Sequence, residues 1–178
     1  MKKNKTYYGV NKFQVSSDDL SYLNKLSNEL LKKNKLEAGT TKVQGSVRNC
    51  LIVRVSRQSE IYKYFEDAKN IINGGFNYHI DGIQDIQLIV YRKGHYYQWH
   101  TDIDNDLGST RKISTTLMLN DNYEGGDMNF FHDGEEKKIT LVKRDLLAFT
   151  SFMNHSVDMV TKGERRVIVA WYKGKPWR

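Results

Sequence analysis

The chain has 178 residues, 39% of them hydrophobic and 28% charged, with a formal net charge of +7. That length suits one domain with a substantial core, and no apolar run approaches the roughly 18–20 residues that span a membrane. The N-terminal stretch "MKKNKTYYGVNKF" is basic but lacks the apolar block of a signal peptide, so no membrane association is expected.

The single cysteine, Cys50, excludes an internal disulfide and fits a reducing cytoplasm, where it reads as a small buried hydrophobe. The 28 Lys and Arg residues are scattered. The densest cluster, Lys32-Lys33-Asn34-Lys35, ends a predicted helix, where cations complement the dipole. The charge therefore reads as solvated surface, and it does not by itself identify a nucleic-acid partner.

Ser16 and Ser17 offer N-caps for a first helix, whose Leu20, Leu23, Leu26 and Leu30 recur at helical spacing up to Lys35. "NCLIVRV" predicts a strand. A second helix runs from Ser59 to Asn73 with Ile61, Phe65, Ala68 and Ile72 on one face. Asn73-Gly74-Gly75 should end it in the left-handed conformation. Both helices are amphipathic and call for a flat partner such as a sheet.

From Gly82 onward the segments "IQDIQLIVY", "YYQWHTD", "KISTTLMLN", "MNFFH", "KITLV", "LLAFTSF", "SVDMV" and "RRVIVAWY" read as short strands. Lys93-Gly94, Asp121-Asn122, Gly125-Gly126, Asp133-Gly134 and Lys162-Gly163 separate them as turns. About eight strands without a helical interruption suggest an antiparallel barrel or jelly roll. The expected class is α+β: one domain over residues 1–178, helical over about 1–80 and a jelly-roll core over about 82–175, with the helices packed on the outer sheet.

Two His-x-Asp pairs occur, His79-Ile80-Asp81 and His100-Thr101-Asp102. On a strand, i and i+2 share a face, so either pair places two metal-capable groups side by side. Such pairs are common by chance, and context must separate them. A two-histidine, one-carboxylate set leaves coordination positions open and is the ligand pattern of non-haem iron oxygenases. His79 and Asp81 precede Gly82 and read as a turn. His95 and His132 lie beside turns and read as exposed. His100 ends a strand that follows Tyr91 and Tyr97, while His155 is followed ten residues later by Arg165.

"YRKGHYYQWHTD", "LNDNYEGGDMNFF" and "HSVDMVTKGERRVIVAWY" resemble the Fe(II)/2-oxoglutarate-dependent dioxygenases, in particular their prolyl-4-hydroxylase-like, PKHD-type branch. The likeness covers about residues 84–175. It implies a double-stranded β-helix fold, with Fe(II) bound by His100, Asp102 and His155 and no catalytic side chain beyond the metal centre. Arg165 would hold the distal carboxylate of 2-oxoglutarate, with Tyr91 adding a hydroxyl; Ser114 and Thr116 are candidates to assist. A bidentate guanidinium–carboxylate pair is the expected form of that contact. O2 would be the second cosubstrate and ascorbate (vitamin C) a possible reductant.

Tyr97 stands either at the substrate entrance or as ordinary packing, and Trp99 and Trp171 read as core. Met159, where the family often has proline, and Lys143-Arg144-Asp145, where it often has glycine, depart from the pattern in turns and not at ligands. The implied activity is hydroxylation of a prolyl or other amino-acid side chain in a peptide, protein or small amino-acid-type substrate, coupled to decarboxylation of 2-oxoglutarate to succinate. Alternatives are a nucleic-acid dealkylase or base hydroxylase, an inactive jelly-roll binding module, or a zinc hydrolase on the same barrel. The loops that would select a substrate, near Gly108-Ser109-Thr110 and in the first half of the chain, carry no readable code.

Overall fold

The structure, a computed structural model, describes residues 1–7, 9–38, 48–103 and 110–176, and for residues 3–7 the backbone alone. Gly108 and Ser109 of the expected substrate loop lie outside the described residues.

The chain runs β1 (Lys2–Tyr7), β2 (Val10–Gln14), α1 (Ser17–Lys33), β3 (Glu37–Ala38), β4 (Arg48–Asn49), β5 (Leu51–Arg54) and α2 (Glu60–Asn73). It continues through β6 (Gly82–Arg92), β7 (Tyr96–His100), β8 (Arg111–Met118), β9 (Tyr123–Gly125) and β10 (Met128–His132). The last elements are β11 (Glu135–Ile139), β12 (Asp145–Thr150), β13 (His155–Val157) and β14 (Val160–Lys173).

Two antiparallel sheets face each other as a jelly roll. The larger has the order β1-β2-β12-β8-β14-β6-β5-β3, with β9 pairing the start of β14; the smaller has the order β11-β10-β13-β7-β4. The fold is therefore α+β.

Both helix starts follow from sequence. The Ser16 hydroxyl accepts from the Asp19 backbone N–H, and the Ser59 hydroxyl does the same for Tyr62. Leu20 and Leu23 of α1 and Ile61, Phe65, Ala68 and Ile72 of α2 form one core with Ile86, Leu88, Ile113, Leu117, Ile168, Ala170 and Tyr172 of the large sheet. Each large apolar side chain buried there contributes about 1.5–3 kcal/mol relative to exposure. The Tyr172 hydroxyl donates to the Phe65 carbonyl at 2.7 Å, which ties α2 to β14. Alternation along β14 sends Val167, Val169 and Trp171 to the other core, inside the barrel.

Four expectations change. The N-terminal part is not purely helical: β1 and β2 extend the large sheet beside β12. Helix α2 ends with Gly74 in the right-handed region (φ −58°), and the left-handed residue is Asn77 (φ 55°). Gly75 is needed for space, because a Cβ there would lie 2.6 Å from the Asn11 side chain.

Lys162-Gly163 is not a turn but part of the continuous β14. Gly163 has φ +74° there, and a Cβ on it would lie 2.5 Å from the Asn122 carbonyl on the approach to β9. The "KITLV" strand begins earlier, at Glu135. Asp133 and Gly134, both at positive φ, make a two-residue hairpin that pairs His132 directly with Glu135.

Candidate metal and carboxylate site

Strand β7 ends on His100, and β13 opens on His155 directly opposite in register. Asp102 lies just beyond β7, held by its backbone N–H donating to the Ser151 carbonyl at 2.9 Å. His100 Nε2 is 3.6 Å from Asp102 Oδ1, and His155 Nε2 is 3.6 Å from Oδ2. One ligand atom from each residue falls in a group no more than 4.8 Å across, and among the described residues this is the cluster with metal-binding composition.

The tautomers follow from the neighbours. His100 Nδ1 lies 2.8 Å from the Gln98 carbonyl and His155 Nδ1 lies 2.9 Å from the Met153 carbonyl. A carbonyl only accepts, so each Nδ1 carries a proton, and in the neutral ring each Nε2 turns a lone pair toward Asp102. Burial drives His155 toward the neutral form, with a pKa lowered to about 4, against the opposing pull of Asp102.

Burial alone would raise the Asp102 carboxyl. The imidazoles of His155 and His100 and a hydrogen bond from Ser114 hold it well below the usual carboxylate range. Two imidazoles and a carboxylate thus converge, each imidazole with its Nδ1 engaged by a carbonyl and its Nε2 turned toward Asp102. Such a donor set fits a divalent iron. Phe149 and Phe130 pack around the His155 ring, with centroids 4.6 and 5.9 Å away.

A register shift between β13 and β7 sets His155 opposite His100 but Val157 opposite Tyr97. This extra residue turns Tyr97 onto the face of His100, where the two rings stack at 3.5 Å. Trp99, next to His100 on the strand, faces the other way by ordinary alternation: it is 40% exposed, beside Phe131, and not core. Trp171 is buried as expected, and it lines the same cavity as the metal-capable cluster. Arg111 lies over the Trp171 ring at 4.5 Å and donates to the Asp102 carbonyl.

That cavity is lined inward by Tyr91, Thr116, Met128 and Val169. Arg165 is the direct cross-strand partner of Tyr91, and its guanidinium rests 5.1 Å from the centre of the Tyr91 ring. Arg165 is 1% exposed and its Nε has no hydrogen-bond partner. The lining reaches Tyr91, with Arg165 behind it. The Arg165 guanidinium beside the Tyr123 phenol opposes the upward push of burial on that hydroxyl. Of the two assistants considered, Ser114 contacts Asp102 and Ser151, while Thr116 faces the cavity.

The other histidines stay apart from this cluster. His79 and Asp81 form an exposed pair at 3.2 Å, and His132 pairs with Asp133 at 3.2 Å. His95 is half-buried rather than exposed, since β14 folds over the Gly94 turn and Val160 N–H donates to the His95 carbonyl. Arg166, next to Arg165 on β14 and facing the other way, bonds Glu164 and Asn28 of α1.

Tyr123, Gly126, Arg111 and Arg48 went unassigned in the sequence. The first two lie inside the "YEGGD" stretch, which carries part of the family resemblance but in which the sequence marks only Gly125-Gly126, as a turn. Arg48 belongs to no motif.

A sequence profile of the 2OG-Fe(II) oxygenase superfamily matches residues 86–173. A PKHD-type hydroxylase from Prochlorococcus marinus (strain MIT 9515) is 31% identical over 160 residues, 84% of this chain and 68% of that protein. The chain belongs to the 2OG-Fe(II) oxygenase superfamily. Within it, the chain falls in the PKHD-type, prolyl-4-hydroxylase-like branch.

Other curated relatives match over shorter stretches. A PKHD-type hydroxylase from Idiomarina loihiensis is 34% identical over 83 residues, and the match spans 46% of this chain but 38% of that protein. Among solved structures, a Pseudomonas putida prolyl-4-hydroxylase superposes with a TM-score of 0.77 at 22% identity, covering 94% of this chain and 93% of its own. A prolyl hydroxylase from Trichoplax adhaerens, solved with a hypoxia inducible factor oxygen degradation domain peptide fragment, gives 0.78 at 20% identity, covering 93% and 83%. At these identities the structural likeness is one of fold. Fe(II), 2-oxoglutarate and O2 are the cofactor and cosubstrates of this superfamily.

Proposed function

We propose that the protein hydroxylates an amino-acid side chain in a peptide or protein, a prolyl ring first among candidates, and couples this to conversion of 2-oxoglutarate to succinate and CO2. The carrying observation is the convergence of His100, Asp102 and His155 as a metal-capable group on a cavity that Tyr91 also lines, with Arg165 as the cross-strand partner of Tyr91. Bound iron would supply O2 activation and the oxidation of an unactivated C–H bond.

The side chains divide the remaining work. His100, Asp102 and His155 would hold the metal, each imidazole fixed in orientation by its Nδ1–H bond to a carbonyl. Arg165, a buried cation without a carboxylate partner among the described residues, would receive the distal carboxylate of 2-oxoglutarate, with Tyr91 beside it. Met128, Phe149 and Val169 would keep the cavity between them dry. Tyr97, Trp171 and Arg111 flank the metal-capable cluster. Tyr97 and Trp171, which line the cavity, would give a proline ring aromatic faces to pack on beside the metal. No general base is required, which agrees with the absence of any other titratable side chain among the residues lining the cavity, tyrosines and Arg48 aside.

The test is to supply Fe(II), 2-oxoglutarate and air with a panel of proline-containing peptides, free amino acids and methylated oligonucleotides. Succinate release in step with gain of one oxygen atom on a peptide is the expected result. Turnover supported only by oligonucleotides would replace this reading with the nucleic-acid one.

A further inference from the structure

The cavity is lined by a cation, Arg48, distinct from the buried Arg165. Arg48 starts β4 and pairs with Tyr97 of β7, and its side chain lines the same cavity as His100, Asp102 and His155. Its Nε donates to the Cys50 thiol at 3.0 Å, and Nη2 reaches the Gln87 amide oxygen only at 3.4 Å. The guanidinium carbon lies 4.9 Å from the centre of the Tyr97 ring. A thiol is a weak acceptor, and 3.4 Å is the outer limit of a hydrogen bond.

No carboxylate among the described residues lies within 4.0 Å of Arg48, whereas Arg54, Arg92 and Arg166 each have one. A partly desolvated guanidinium without an anion is costly, and a bidentate carboxylate relieves that cost better than any neutral group. Arg165 is in the same condition, but a dicarboxylic cosubstrate with one end at the metal offers only one further carboxylate. Arg165 is the buried member of the two, and Arg48 is the half-buried one, open to an arriving molecule.

We propose that Arg48 is the anchor for an acidic side chain of the primary substrate, so that the site takes peptides carrying Asp or Glu near the residue it oxidises. This rests on the oxygenase reading for the oxidised position, though the anion contact itself does not. Tyr97 couples the two, since its ring stacks on His100 and also carries Arg48. An anion on Arg48 therefore fixes the peptide one aromatic ring away from the metal-capable cluster. The net charge of +7 favours encounter with acidic peptides in the same direction.

The test uses two rhodamine-labelled peptides, Glu-Ala-Pro-Ala-Glu and Gln-Ala-Pro-Ala-Gln. Their binding to the full chain with Fe(II) and 2-oxoglutarate, under anaerobic conditions, is followed by fluorescence anisotropy. The Glu peptide should bind the wild type about tenfold more tightly than the Gln peptide. Arg48→Met should bring the two within about twofold, and Arg48→Lys, a point charge without the fork, should fall between.

In parallel, the 2-oxoglutarate concentration that saturates the visible Fe(II)–2-oxoglutarate band should be unchanged by Arg48→Met. Equal binding of both peptides to the wild type, or binding of neither, overturns the proposal while leaving the oxygenase reading intact if the band is present. A weakened 2-oxoglutarate response in both Arg48→Met and Arg48→Lys overturns it by making Arg48 the cosubstrate anchor. An Arg48-dependent preference for the Glu peptide without any band would leave the anion site standing and remove the oxygenase reading instead.

Discussion

A Cβ placed on Gly126 would lie 2.8 Å from Cδ of Arg165, so the "YEGGD" turn acts as the cradle that holds this arginine against Tyr91. Gly126 also has φ +71°, a backbone region that favours glycine. Gly126→Ala should therefore displace the Arg165 side chain and weaken 2-oxoglutarate binding by about tenfold or more, on the scale of losing a charged hydrogen bond. Iron binding, at the other end of the cavity, should be nearly unchanged. Isothermal titration with each in turn separates the two, and equal loss of both would mean general misfolding.

Much of this site was legible in the sequence because its members carry their own punctuation. The His-x-Asp pair sits at the end of β7, and the second histidine and the arginine ten residues later sit in the successive strands β13 and β14, with β13 pairing β7. Ser16 and Ser59 likewise announced their helices. Strands β1 and β2 were missed for a physical reason: Val10 and Phe13 of β2 are buried in different cores, which leaves no clean two-residue alternation.

Trp99 was misplaced because it was read as core from its residue type alone, whereas alternation beside the inward His100 already turns it outward. Arg48 was invisible, since only the fold puts it beside Tyr97.

Lys12 and Asp145 fasten β2 to β12. Lys12 Nζ lies 2.6 Å from Asp145 Oδ2, and that carboxylate also accepts from the Val142 backbone N–H. Lys12→Met leaves the buried carboxylate short of a partner and should cost about 1–3 kcal/mol. Urea denaturation reads this as a lower midpoint with unchanged slope; an unmoved midpoint would show that the pair contributes nothing.

Glu164 gives a pH signature. Burial would raise its carboxyl, but the Arg166 and Arg92 guanidinium groups, at 2.7 and 3.1 Å, hold it below its ordinary 4.5. A depressed carboxylate contributes stability that is present above the unfolded value and lost as pH falls through the lower folded one. Glu164→Gln should therefore be less stable than the wild type at pH 7, by under about 1 kcal/mol at this partly exposed site. The difference should shrink below pH 4.5. A gap that widens on acidification would contradict the assignment.

Cys50 is 2% exposed, and burial pushes its thiol up despite the opposing Arg48. Less thiolate and less access both slow alkylation. Iodoacetamide at pH 8 should modify the native protein at least about tenfold more slowly than free cysteine, and the unfolded protein at the free rate. Equal rates would show the chain at Cys50, between β4 and β5, to be open.

The central claim is that His100, Asp102 and His155 hold iron and Arg165 holds 2-oxoglutarate. Its most direct test is an anaerobic titration with Fe(II) and then 2-oxoglutarate, following the weak visible charge-transfer band of the pair. The wild type should develop the band, Asp102→Ala should not, and Arg165→Met should need far more 2-oxoglutarate to reach it. No band in the wild type, or an undiminished band in Asp102→Ala, would contradict the account.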